Sequence, residues 1–332
     1  LIFNPCSASN PLGWRHLASG LLMAAMSWSA WSQTGNYPEK PIKFIVSFTA
    51  GGTTDILARE VANQLTQRWK VPVVVENKAG AAGNLGTEVV GRATPDGYTL
   101  LVNSFGPIAI NPTLFKTLNV NPQTELQPIA LLAEVPTVLV VPTSLGINTM
   151  AEFMAYAKTN PGRISFGSSG NYGTMHVPME QLKAATSTFM LHVPYTGAGP
   201  AVLSLLSGQI EALSTGPASV KQHIASGRLR ALAHWGEGRL ASMPEVPSFK
   251  ELGVPIQYSQ WSGMFVPADT PAAVVDSLRQ AAKFAAQDPR AVAALTSAGT
   301  SFMYQDAPEF ERFVQADAKD MSALVTRIGK VD

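Results

Sequence analysis

The chain has a single cysteine, Cys6, in 332 residues. Everything after it lacks a thiol, which excludes a cysteine nucleophile, a disulfide framework and a thiolate-held metal. A charge excess of either sign is missing too, since 24 Lys+Arg meet 23 Asp+Glu, and no basic block or stripe appears. A nucleic-acid partner or an anionic membrane surface is therefore not expected. Long apolar runs are absent: residues 17–28 fall short of the roughly 20 residues that span a bilayer. His176, His192, His223 and His234 have no Cys or His at ligand spacing, so no metal and no other cofactor is expected. A Gly-x-Ser-x-Gly elbow, a His-Glu-x-x-His helix and a phosphate loop ending in Lys-Ser/Thr are all missing. An enzyme is not expected.

What the first residues do hold is an export pattern. Arg15 and His16 precede the apolar stretch, and Ala30 and Ser32 place small residues at −3 and −1. A signal peptide over 1–32, cleavage after Ser32 and a periplasmic mature chain starting at Gln33 are expected. Cys6 lies before the apolar stretch, not where a lipid-attachment cysteine follows one. Without Arg15 the mature charges balance, and the length left is near where one core gives way to two domains.

The mature sequence alternates strand and helix signals, as α/β folds do. Residues 42–46 read as a buried strand, followed by Ser47-Phe48-Thr49-Ala50-Gly51-Gly52-Thr53-Thr54-Asp55 and a helical pattern from Ile56, with Leu57, Val61 and Leu65 on one face. Adjacent glycines before a helix start suit an anion held by backbone N–H groups. The plain alternative is a turn with Asp55 as N-cap. Strands are expected at 73–75 and 98–102, with Ser104 just past the latter, where ligands of open sheets bind.

A second α/β unit repeats the pattern of strand, glycine- and hydroxyl-rich loop, then helix. Its loops are Gly167 to Thr174, including Ser168, Ser169 and Gly170; Thr196-Gly197-Ala198-Gly199 with Pro200 at a helix N1; and Thr215-Gly216-Pro217. His192 alternates with apolar neighbours and reads as structural. Thr149 with Glu152 reads as a capping box for a helix over 150–158. Near the C-terminus, Phe310, Phe313, Val314, Ala318, Met321, Leu324 and Val325 recur at helical spacing, a core stripe packing back on the first unit. Chain crossings between the units are expected near 135–140 and 255–263.

These strings support a family resemblance. Thr49-Ala-Gly-Gly-Thr-Thr-Asp55, Val75-Glu-Asn-Lys-Ala-Gly80, Gly83-Asn-Leu-Gly86-Thr87, Pro95-Asp-Gly-Tyr-Thr-Leu100, Gly167-Ser-Ser-Gly170, His192-Val-Pro-Tyr195 and Gly227-Arg-Leu-Arg-Ala-Leu232, in that order, resemble the Bug-type substrate-binding receptors of tripartite tricarboxylate transporters. The resemblance covers essentially the whole mature chain. It implies a two-lobed periplasmic binding protein, each lobe a doubly wound, mostly parallel sheet, hinged on two crossing strands. Lobe 1 would take 33–134 and 262–332, lobe 2 135–261.

By motif, the resemblance assigns the ligand to Phe48, Thr49, Ala50, Gly51, Gly52, Thr53, Thr54, Asp55 and Ser104 from lobe 1. From lobe 2 it assigns Ser168, Ser169, Gly170, Thr174, Tyr195, Thr196, Gly197, Thr215, Gly216 and Pro217. The implied ligand is a small di- or tricarboxylate, passed by a monomeric receptor to the membrane components of the transporter. No acid stands near Thr215-Gly216 to meet an amino group, so an amine-free diacid is expected. A flat ring stacked by Phe48 and Tyr195, as in terephthalate, fits the same expectation. Two alternatives remain at this level: a receptor feeding a membrane sensor, and a secreted α/β hydrolase using Ser168 or Ser169.

Overall fold

The computed structural model describes residues 37–300 and 302–328, with side chains to residue 323. The expected signal segment and its cleavage site lie outside them. The chain divides into a unit over Leu1–Tyr37 and a compact unit over Pro38–Asp332, and every strand and helix below belongs to the second.

Strand β1 (Ile42–Val46) is buried except at Lys43. Helix α1 (Thr53–Trp69) follows, burying Leu57, Val61 and Leu65 on one face. It starts three residues before the expected Ile56, with Gly52 as N-cap and no side-chain cap. Asp55 in the first turn reaches back to accept the Gly51 N–H at 3.0 Å, tying the loop before the helix to the helix itself. Strand β2 (Val73–Asn77), helix α2 (Asn84–Gly91) and strand β3 (Thr99–Ser104) complete the βαβαβ unit. Strand β4 (Leu126–Pro136) then leads into β5 (Val138–Pro142).

The second unit continues with α3 (Met150–Thr159), β6 (Ser165–Ser168), α4 (Val177–Thr186), β7 (Leu191–Pro194), α5 (Ala198–Leu206), β8 (Ala212–Thr215) and β9 (Leu229–His234). Thr149 caps α3 by accepting the Glu152 N–H, while Glu152 reaches back to the N–H of Asn148. Helix α5 opens at Ala198, so Pro200 sits in its first turn and not at its first position. The chain returns through β10 (Ser259–Pro267), α6 (Ala272–Gln287), α7 (Pro289–Ala298), β11 (Phe302–Asp306) and α8 (Ala307–Ile328).

Two sheets result, ordered β11-β4-β10-β3-β1-β2 and β7-β6-β8-β5-β9. They are mixed, a correction to the mostly parallel expectation. β1 lies parallel to β2 and β3, and β6 to β7 and β8, as helical crossovers require. At the border, however, β4 leaves the first sheet and β10 returns to it, so β10 runs antiparallel to both β3 and β4. β5 enters the second sheet and β9 leaves it, and these two are antiparallel likewise.

Only Thr137 separates β4 from β5. Its carbonyl accepts the Trp235 N–H at 3.0 Å, and the Trp235 carbonyl accepts the Tyr258 N–H at 3.0 Å, so the two crossings are laced together. The expected lobe boundaries, at 134/135 and 261/262, fall inside β4 and β10, which run wholly in the first sheet.

One apolar cluster runs through the crossing, joining Ile45, Leu101 and Leu131 to Trp235, Phe249, Trp261 and Phe265 and on to Leu139 and Phe166. Each such side chain contributes about 1.5–3 kcal/mol when fully buried. Phe310 of α8 is buried in it, with Phe313, Val314, Ala318 and Met321 packed alongside. The side chains of Leu324 and Val325, the rest of that stripe, lie outside the described residues. A second cluster sits between the second sheet and α5, through Val138, Val140, Ala201, Leu205 and Leu213. Among the described residues no helix is long and apolar enough to cross a membrane.

Candidate ligand cleft

The loops at the C-terminal ends of β1, β3, β6 and β8 face one another across the two sheets. Between them lies a cavity of about 30 Å³ lined by Phe48, Gly52, Thr53, Thr54, Asp55, Ser104, Ser169, Thr174, Met175, Ala198, Thr215 and Gln260. No lysine or arginine lines it. Ser104 Oγ and Ser169 Oγ are buried without a hydrogen-bond partner, as is Thr49 Oγ1 nearby. Buried hydroxyls are nearly always satisfied, so two such groups bordering one small space mark a place for water or an oxygen-bearing ligand. The start of α1, whose first N–H groups have no acceptor in a preceding turn, borders the same space.

The β1 loop is braced from within. Asp55 accepts from Gly51 N–H and Arg59 Nε, both at 3.0 Å, and from Asn77 Nδ2 at 2.9 Å. Burial pushes the Asp55 carboxyl up, but the hydrogen bonds from Arg59, Gly51 and Asn77 outweigh it and hold the group below the usual carboxylate range. Asp55 and the Gly51 N–H are thus committed to the loop. Gly51 itself is exposed, at φ +86°.

Across the cleft, the second sheet's loops meet the first sheet's at glycines. A Cβ on Gly197 would lie 2.9 Å from the Thr49 backbone N, and one on Gly199 2.7 Å from the Ala50 carbonyl O. A Cβ on Gly216 would lie 2.1 Å from Thr53 Oγ1 and 2.3 Å from Gln260 Nε2. Neither Gly197, Gly199 nor Gly216 has a left-handed φ, so close approach of the loops is what requires them. Gln260 Nε2 donates to Thr53 Oγ1 at 3.3 Å, and the Thr54 and Ser262 hydroxyls meet at 3.0 Å.

Ser168 stands behind the cleft. It is fully buried; its Oγ lies 2.6 Å from His192 Nε2, 3.0 Å from the Gly170 carbonyl and 3.1 Å from the Gly170 N–H. His192 is thus hydrogen-bonded to Ser168. It stacks on His176 at 3.9 Å and on Phe166 at 5.1 Å. Burial, then the neighbouring His176, pushes its pKa down to about 3, so it is neutral at any ordinary pH. His176 accepts the Tyr172 N–H at Nδ1, and its Nε2 lies 3.3 Å from Glu180 Oε1.

A second, larger space of about 550 Å³ is lined by Gly80, Ala81, Ala82, Gly83, Phe115, Ser169, Gly170, Asn171, Pro194, Tyr195 and Thr196. Ser169 borders both spaces. The expected residues thus divide: Phe48, Gly52, Thr53, Thr54, Asp55, Ser104, Thr174 and Thr215 around the inner cavity, Gly170, Tyr195 and Thr196 around the outer chamber. Thr49, Ala50, Gly197 and Gly216 form the contact between the loops, and Pro217 packs away from both spaces against Gly299. Phe48 lines the inner cavity and Tyr195 the outer chamber.

Met175, Ala198 and Gln260 in the inner cavity, and the stretch from Gly80 to Gly83, Phe115, Asn171 and Pro194 in the outer chamber, were not assigned to the ligand from sequence, although Ala198 and Asn171 lie in the glycine- and hydroxyl-rich loops named there. Gln260 had a signal, since it lies in the segment where the chain was expected to cross between lobes. Phe115 had none. Among the described residues no group of three or more His, Cys, Asp or Glu side chains is placed to hold a metal.

Two sheets joined by two crossings, with facing loops closing on a small cavity bordered by hydroxyls, define a two-lobed binding protein. The chain belongs to the tripartite tricarboxylate transporter family receptors, which it matches over residues 57–330. It is 34% identical over 311 residues to a UPF0065 protein of Cupriavidus necator, with 94% of each chain covered. It is 31% identical to BugT of Bordetella pertussis, over 93% of this chain and 96% of that one. A Rhodopseudomonas palustris protein solved with adipate superposes at TM-score 0.86 with 27% identity, covering 88% of this chain and 98% of that one. MatC from the same organism, with bound malate, superposes at 0.81 with 27% identity, covering 87% and 99%.

Proposed function

We propose that this protein captures a small, amine-free di- or tricarboxylate between two lobes in the periplasm, after removal of a signal peptide over 1–32, and delivers it to the membrane components of a tripartite transporter. The observation that carries the reading is the inner cavity, where the partnerless Ser104 and Ser169 hydroxyls and the start of α1 converge with no cation. An anion held this way depends on donor geometry and not on an ion pair. Adipate and malate in the two superposed receptors support a carboxylate.

A cavity of about 30 Å³ is far below the roughly 300–1,000 Å³ of ligand pockets, so loading requires the lobes to part. The hinge is the laced pair of crossings at Thr137 and at Trp235 and Tyr258, and closure brings Gly197, Gly199 and Gly216 onto the β1 loop. The ligand favours closure by binding that state better. The receptor acts as a monomer. A hydrolase using Ser168 is disfavoured, because its Oγ is fully buried behind the cleft and its partner His192, with a pKa pushed down to about 3, is too weak a base to take its proton.

Calorimetry against mono-, di- and tricarboxylates and amino acids tests the proposal. At least one amine-free diacid should bind with a micromolar constant, about −8 kcal/mol. Tight binding of aspartate or glutamate with failure of every amine-free acid refutes it.

A further inference from the structure

We infer that the ligand is an elongated carboxylate, whose head group occupies the inner cavity and whose chain or ring lies in the outer chamber against Phe115 and Tyr195; this rests on reading the inner cavity as the carboxylate site.

Volume decides first. The inner cavity, about 30 Å³, has room for one carboxylate-sized group, since a single water needs roughly 10–15 Å³ by the same measure. The remaining atoms of any ligand need a neighbouring space. The outer chamber, about 550 Å³, is of ligand-pocket size, and Ser169 borders both. A head group at the Ser169 hydroxyl and a body beyond it is the arrangement that uses the two spaces together.

Chemistry decides next. No charged side chain lines the chamber. The Tyr195 hydroxyl is bonded to Ser204, which leaves the ring as its contact surface, and Phe115 is 39% exposed. Aromatic faces suit an apolar body, while Asn171 and Thr196 supply neutral polar groups for a distal oxygen. A compact tricarboxylate would need three charged groups at one small cavity, and the chamber offers none of them a cation.

The wall is also built at a cost. Ala81 at φ 48° and Ala82 at φ 52° lie in the left-handed region that L side chains rarely adopt, and such strain gathers at functional sites. The Ala82 Cα stands 3.5 Å from where a Gly170 Cβ would be, so loops from both sheets meet to form the chamber, as they do the inner cavity.

The experiment is calorimetry of wild type, Phe115→Ala and Thr196→Trp with adipate, terephthalate, succinate and citrate. Phe115 and Thr196 are exposed, so both variants keep the core intact. Adipate or terephthalate should bind wild type more tightly than succinate and citrate. Loss of the Phe115 ring should weaken the elongated acid about tenfold, the indole introduced by Thr196→Trp should block it, and succinate should change by less than about twofold. Citrate or succinate binding as tightly as the elongated acids overturns the inference, as does an elongated acid that neither variant weakens. In those cases the inner site survives if Ser169→Ala weakens the short acid. Failure of all four acids to bind wild type overturns the carboxylate reading and this inference together.

Discussion

Gly199→Ala separates closure from folding. In α5 the new methyl would stand 2.7 Å from the Ala50 carbonyl oxygen, a backbone atom that cannot swing aside, so the β1 loop and α5 must move apart. Overpacking of this kind costs about 1–3 kcal/mol. The cost falls on the closed state alone, because that contact exists only where the two sheets' loops meet. Through the fraction of binding-competent molecules it weakens affinity roughly 5- to 150-fold. Folding should move the other way: Ala is favoured over Gly in a helix by up to about 1 kcal/mol. Urea unfolding of ligand-free protein should therefore show unchanged or higher stability, while calorimetry shows the loss in affinity. Gly238→Ala is the control, exposed and with nothing within 4 Å of the new methyl. It should leave affinity unchanged. Wild-type affinity in both Gly199→Ala and Gly197→Ala would refute the reasoning, since the glycine contact would then be no part of the bound state.

Three further outcomes are expected. Ser169→Ala removes a buried hydroxyl that has no partner, so ligand-free stability should hold or rise by up to about 1 kcal/mol while affinity falls about tenfold; a stability loss instead would show that the hydroxyl is satisfied within the protein. Asp317 accepts from Trp261 Nε1 at 2.8 Å, and burial chiefly, with Asp320 and Glu134 nearby, pushes its pKa up to about 6. A folded-state pKa above the unfolded one means that the native state binds more protons between about pH 4 and 6, so wild type loses stability as pH rises through that window. Asp317→Asn keeps the acceptor and removes the charge; it should match wild type near pH 4 and exceed it by about 1–3 kcal/mol at pH 7, and denaturation at both pH values checks this. Ala82→Gly should stabilise by about 0.5–1 kcal/mol, because an L side chain at φ 52° costs roughly 1–2 kcal/mol, of which the greater freedom of glycine in the unfolded chain takes back a part; thermal unfolding reads it.

Much of this fold was legible in local pattern. β1 was bounded correctly because Ile42, Ile45 and Val46 are β-branched, apolar and flanked by turn residues. The stripe on α8 was legible from Phe310 to Met321 for the same kind of reason. Where reading failed, a distant partner had decided the outcome. Asp55 reaches back to Gly51 from inside the first turn of α1, which makes it a brace inside the helix and not its N-cap. β4 gives a weak signal: its middle, Ile129 to Ala133, is a continuous apolar run with no alternation, and Pro128 interrupts its start. Its strand character comes from pairing with β10, more than a hundred residues on. The parallel expectation failed because the border strands follow the path of the chain between sheets, which no local window contains.

The candidate site divides in the same way. Loops at strand ends announce themselves through Gly, Ser and Thr, and most of the inner cavity was found so. The partnership of Ser168 with His192 and the position of Gln260 are products of tertiary packing. Phe115 follows a short helix with no motif around it, and only the assembled chamber shows what it faces.

The measurement that bears most directly on the central claim is a crystal structure with the tightest-binding diacid from the calorimetric panel. One carboxylate should lie within about 3 Å of Ser169 Oγ, Ser104 Oγ or the first N–H groups of α1, with Gly199 against Ala50. A diacid bound elsewhere, or one bound in the cleft with these loops apart, would contradict the account.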